Sequence, residues 1–140
     1  MDLADRLRSL ADLIPILESE DAEFGRWEVI PPIGDVLHLP YYTFGPAGDA
    51  FIAAVGRGGW VIAGFDWRTW LENDEGQALS GRPEALATAT PEQLAMLLTA
   101  IVRSDRFVEG SIAGAFESGL LARIAFRAAA LLAEVGPDPA

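Results

Sequence analysis

The chain is expected to be mainly α with a small β part (α+β): about five helices, one β-hairpin, and a central C-terminal helix pair. Three observations predict this. Apolar residues recur at helical spacing near the start of the chain and from residue 91 onward. Helix-start signals stand at Asp66 and at Thr90-Pro91-Glu92-Gln93. Extended candidates are confined to two short runs, 26–30 and 36–39, separated by the turn-forming Pro31-Pro32-Ile33-Gly34-Asp35. With 140 residues, the chain has the length of one domain, 1–140, and enough of it to bury a core without covalent staples. Neither repeats nor linkers divide it.

Over 2–17, Leu3, Leu7, Leu10, Ile14 and Leu17 form one apolar stripe, with Asp5, Arg8 and Asp12 facing away. Pro15 has no amide hydrogen to continue the helix and should kink or end it. Residues 18–28 are acidic and read as a solvated loop. The two strand runs should make a small hairpin, edge-like because of Pro31 and Pro32. A short helix over 48–57 should bury Phe51, Ile52 and Val55 and end at Gly58-Gly59. Asp66 can cap a helix reaching about Leu79, weakened at Gly76, with Phe65 and Trp70 as its hydrophobic staple. Residues 83–87 add a turn. The helix from Pro91 should reach about Val108, where Gly110 stops it. Ser111 should then cap a long helix to about Val135, with fraying past Gly136.

Composition removes several functions. The formal net charge is −11, and all ten basic residues are arginine. Such acidity opposes phosphate backbones, so nucleic-acid binding is not expected. Without lysine there is no phosphate-loop lysine and no Schiff base. Without cysteine there is no disulfide or thiolate chemistry. No apolar run approaches the roughly 18 residues of a membrane span, and the first residues lack the apolar core of a signal peptide. No membrane association and a cytoplasmic location are therefore expected. The hydrophobic content of 51% favours a homo-oligomer, a homodimer in the simplest case.

The segment from Arg103 to Leu121 puts ionisable groups in an apolar context. On the wheel of a helix continuing from Pro91, Asp105 falls within the arc of Leu94, Leu97, Leu98, Ile101, Val102 and Val108. Arg103 points the other way, and Arg106 lies at the margin; both are candidates to meet a ligand or partner. A buried carboxylate without a partner is costly, so Asp105 should have donors in Arg106, Arg123 or Arg127. Glu117 shares a face with Ile124 and Leu131 and should be partly shielded. Ser118, Ala122, Ala125 and Ala129 form a face of small residues that another backbone can approach. Two readings follow. The leading one is an ion-pair network that fixes the angle between two helices. The other is a carboxylate site near the Gly110 turn, with Asp105, Glu109 or Glu117 as acid or base and Arg106 as anion partner. No Glu-x-x-His or His-x-x-x-His spacing accompanies these carboxylates, so neither a metal nor a cofactor is expected.

His38, the single histidine, is a candidate general base. No Gly-x-Ser-x-Gly elbow is present. Tyr41, Trp60 and Trp67 belong to a dense aromatic group that the core and the staple largely explain, a binding groove being the other reading. Gly56-Arg57-Gly58-Gly59 lacks the strand-glycine-helix order of a phosphate loop.

Leu39-Pro-Tyr-Tyr-Thr-Phe44, Gly59-Trp60, Phe65-Asp-Trp67, Arg103-Ser-Asp-Arg-Phe-Val-Glu-Gly110 and Ala115-Phe-Glu-Ser-Gly-Leu-Leu121 resemble a bacterial family, domain of unknown function 6508. The resemblance covers nearly the whole chain and is most specific in its last two segments. It implies a compact bacterial domain that stands alone, and it supplies no activity, cofactor or catalytic residue. The sequence is therefore read as an interaction or ligand-binding module for a protein or a small molecule. A small hydrolase-type enzyme built on the carboxylate and arginine cluster is the alternative, and an acidic nucleic-acid mimic is the weaker one.

Overall fold

The computed structural model describes residues 1–21, 23–37 and 39–135. Among the described residues the architecture is mainly helical with one two-stranded antiparallel hairpin. The stripe at the start of the chain makes two helices, α1 (Leu3–Ala11) and α2 (Ile14–Glu18). The expected interruption falls just before Pro15, with Leu13 as the residue flanking α2.

The hairpin differs from expectation in its second strand. β1 (Gly25–Glu28) pairs with β2 (Tyr41–Phe44), in the register Gly25↔Phe44 to Glu28↔Tyr41. Val36, Leu37 and Leu39 do not form that strand. Pro31, Pro32 and Pro40 restrict the intervening backbone and cannot donate to a ladder, and among the described residues there an isolated Ile33↔Val36 bridge forms. The aromatic, β-branched run Tyr41-Tyr42-Thr43-Phe44 is the better strand former.

α3 (Pro46–Arg57) follows directly, with Pro46 in its first turn. Asp66 caps α4 (Trp67–Glu72): Thr69 N–H donates to Oδ1 at 3.3 Å, and the Thr69 hydroxyl donates to Oδ2 at 2.7 Å. These bonds hold the Asp66 carboxyl below its ordinary range. The staple forms, with the Phe65 and Trp70 rings 6.0 Å apart. The helical run breaks at Asn73 rather than at Gly76, because the Asn73 side chain accepts the Gly76 amide at 2.9 Å and caps α5 (Asp74–Gly81). α6 (Pro83–Leu86) is a single turn.

α7 (Pro91–Ser104) opens with the expected capping box. Gln93 N–H donates to Thr90 Oγ1 at 3.1 Å, and Thr90 N–H donates to Gln93 Oε1 at 2.9 Å. It ends earlier than expected, at Ser104. The long C-terminal helix is two helices, α8 (Ser111–Glu117) and α9 (Leu120–Val135), parted at Gly119 with φ +83°. A side chain at that φ would be strained, which is why glycine serves there. The N-cap of α8 is Gly110, and Ser111 is its first helical residue. The fraying expected past Gly136 lies outside the described residues.

α9 is the hub, packing against α1, α2, α6, α7 and α8. Its Leu121, Ile124, Ala125 and Ala128 are buried, as are Leu7 and Leu10 of α1 and Leu94, Leu97 and Leu98 of α7. The alanines at 125 and 128 leave room for neighbouring backbones. Thr99 is the buried polar residue of this core. Its hydroxyl donates to Ala95 O at 2.7 Å and accepts Ile62 N–H at 2.9 Å, which fastens the loop after α3 to α7.

Candidate functional site

The face worth following is where the hairpin meets the turn between α7 and α8. An isolated two-stranded hairpin is marginal in water, so this one depends on what it packs against. Phe24, just before β1, is buried and stacks on Phe116 of α8, with ring centroids 4.3 Å apart and planes 4° from parallel. Trp27 of β1 and Tyr42 of β2 are cross-strand neighbours, in edge-to-face contact at 5.3 Å. Trp27 lies over Gly110. That residue has φ +98°, and a Cβ there would come within 2.6 Å of the indole. Glycine is thus required twice, for the turn and for the contact.

Two carboxylates tie this turn together. Asp105 follows the last residue of α7, and its Oδ1 accepts the Ile112 amide at 3.1 Å. It therefore satisfies a free donor in the first turn of α8. Glu109 Oε1 accepts the Tyr42 amide at 2.8 Å, joining the turn to β2.

The expected buried ion-pair network does not form among the described residues. Asp105 is only partly buried, because the helix stops at Ser104 and the wheel no longer applies beyond it. Its partner is a backbone amide, and no arginine bridges it: the ion pairs among the described residues are Arg8–Asp5 and Arg26–Glu28. Arg106 is exposed and Arg103 half-buried. Arg123 Nη1 donates to Ser118 O at 3.3 Å, and Arg127 Nε donates to Ala89 O at 2.8 Å. Glu117, expected to be shielded, is exposed at the last position of α8. No cluster of three or more metal-ligating side chains occurs among the described residues.

The aromatic candidates separate. Strand alternation turns Tyr42 and Phe44 inward and leaves Tyr41 and Thr43 exposed. Tyr42, rather than Tyr41, is the tyrosine that joins the turn. Burial, reinforced by the carboxylates of Glu117, Asp105 and Glu23, raises its phenol pKa above the ordinary value. Trp60 is wholly enclosed, donates to Arg6 O at 3.2 Å and lies under the Arg6 guanidinium. It presents no surface to a ligand. Trp67 is half-buried beside Phe107, and Arg68 stands 4.2 Å over the Phe107 ring. His38 lies outside the described residues.

What the sequence did not single out is the exposure of the connection between the strands. Val29, Ile33, Val36, Leu37 and Leu39 are all exposed, Leu37 at 81% and Leu39 at 88%. Phe107 and Val108, in the turn on which the hairpin rests, are exposed at 67% and 66%. The available signal was a run of apolar residues interrupted by prolines, which strand pairing cannot bury.

The profile of the Family of unknown function (DUF6508) matches residues 3–134, and the chain belongs to that family. No curated protein and no solved structure matches it.

Proposed function

We propose that this family member is a protein-interaction module, docking its partner on the apolar connection between β1 and β2 and on the adjoining turn after α7. The observation that carries the reading is the concentration of exposed large apolar side chains there. A monomer scatters such residues singly, and a contiguous group of them marks an interaction surface. The partner we infer has apolar anchors flanked by arginine or lysine. The chain carries −11 overall, and residues 18–28, leading into the hairpin, hold five carboxylates against one arginine. A basic flank is drawn to that segment, which aids both encounter and orientation. A second copy of the chain brings matching apolar residues and the same repelling charge.

The carboxylate-enzyme reading has less support. Asp105 and Glu109 each accept a backbone amide, and Glu117 opens to solvent.

A photo-crosslinking residue placed at Leu37 or Leu39 in the native host tests the proposal. Adducts with one partner, through a basic apolar segment, are expected from these positions and not from exposed Gly81. The purified partner should bind Leu39→Asp at least about ten-fold more weakly, with the melting temperature unchanged. Adducts only with the chain itself would replace the proposed partner with a homodimer. Equal binding of Leu39→Asp would end the proposal.

A further inference from the structure

A second surface, remote in sequence from the hairpin, has different chemistry. α6 and α9 border a cavity of about 300 Å³ lined by Pro83, Leu86, Arg123, Phe126, Arg127 and Ala130, together with Ala87. Apart from the two arginines, that lining is apolar. Arg123 and Arg127 are one helical turn apart on α9, so their side chains share a face.

Neither cation has a carboxylate partner among the described residues. The ion pairs among the described residues are Arg8–Asp5 and Arg26–Glu28, and what sets Arg123 and Arg127 apart is that both line one apolar cavity. Glu84 of α6 and Glu134 of α9, close in sequence to the cavity residues, pair with neither arginine. Arg127 gives Nε to Ala89 O, and Arg123 gives Nη1 to Ser118 O. Arg123 Nε is buried and has no acceptor among the described residues. A guanidinium carries five N–H donors in a planar fork; with Arg127 Nε and Arg123 Nη1 each given to a backbone carbonyl, the remaining Nη donors are the ones available to a ligand at the cavity.

We infer that this cavity is a binding site for a small apolar carboxylate. Its carboxylate would lie between Arg123 and Arg127, and its tail against Pro83, Leu86, Phe126 and Ala130. The fork geometry suits a carboxylate's two oxygens. The apolar lining requires a tail as well, since a bare anion would leave it wet. The volume lies at the small end of ligand cavities.

The test uses three probes on the intact chain, followed by titration calorimetry: octanoate for head and tail, octanol for the tail alone, acetate for the head alone. Octanoate should bind saturably at one site, with octanol and acetate each at least about ten-fold weaker. Arg127→Gln should weaken octanoate about ten-fold or more. Ala130→Trp, a change at an exposed position, should abolish binding by filling the cavity while leaving both arginines in place. Should Arg127→Gln unfold, the contrast between octanoate and octanol together with Ala130→Trp decides the matter. Octanol binding as tightly as octanoate, unchanged octanoate binding by Ala130→Trp, or no saturable octanoate binding would each overturn the site. Leu39→Asp should bind octanoate like the parent chain, which separates this site from the hairpin face.

Discussion

The body around α9 and the hairpin face treat their apolar residues in opposite ways. In the body, Leu98, Leu121, Ile124 and Ala128 are sealed on all sides, and the one buried hydroxyl, Thr99, has both a donor and an acceptor. On the hairpin face, Leu37, Leu39 and Phe107 stand in solvent, and the strands are held by a few contacts, through Phe24 at one end and through Trp27 and Tyr42 near the other. The difference teaches where substitution should cost stability and where it should cost interaction. Apolar area removed from water on folding stabilises the chain; area left in water contributes only when something covers it.

The sharpest break of this contrast is Leu98→Ala. Removing a fully buried leucine side chain should destabilise the chain by about 3 kcal/mol in urea unfolding. Gly110→Ala comes next, with an expected loss of about 2 kcal/mol, since it both strains the turn and collides with Trp27. In that variant near-ultraviolet circular dichroism should report a displaced indole. Glu109→Gln should cost about 0.5–1 kcal/mol, because a charge-assisted bond to the Tyr42 amide becomes a neutral one. Leu39→Asp should leave stability within about 0.5 kcal/mol; a larger loss would mean that the loop is part of the core after all.

A pH titration sharpens the same boundary. The fold raises the Tyr42 phenol above its ordinary value, through burial first and then through Glu117, Asp105 and Glu23. The unfolded chain therefore loses that proton first as pH rises. The associated stability is complete below about pH 10, the unfolded value, and is lost as pH climbs through the higher folded value. Absorbance near 295 nm should show a phenol ionising above about pH 10, and Tyr42→Phe should remove that step.

Much of the fold was legible because its signals are local. The capping box at Thr90 and Gln93, the Asp66 cap and the stripe of α1 each depend on residues within a few positions of one another. The errors arise where a periodic pattern was carried past a break. Asp105 fits the wheel of α7 only if the helix continues, and it stops one residue earlier. Ser111 to Val135 reads as one amphipathic run, yet Gly119 divides it. The second strand was misplaced because apolar 36–39 competes with Tyr41-Tyr42-Thr43-Phe44, and the prolines on either side decide between them. Of the site, the importance of the Gly110 turn could be read, but its partners could not. Trp27 and Tyr42 reach it from 83 and 68 positions away, and no local spacing encodes such contacts.

The stacked rings of Phe24 and Phe116 clamp the hairpin at one end, and a second tie, Glu109 on the Tyr42 amide, lies one pair short of the other. Next to the clamp, Gly45 N–H bonds to Phe24 O at 2.8 Å, while the far end carries the exposed connection. Opening should begin at the tip and travel toward the clamp, so amide hydrogen exchange should slow stepwise from the Glu28↔Tyr41 pair to the Gly25↔Phe44 pair. A partner held at the tip would flatten that gradient. The exchange profile of the strands would then register an occupant before the occupant itself had been identified.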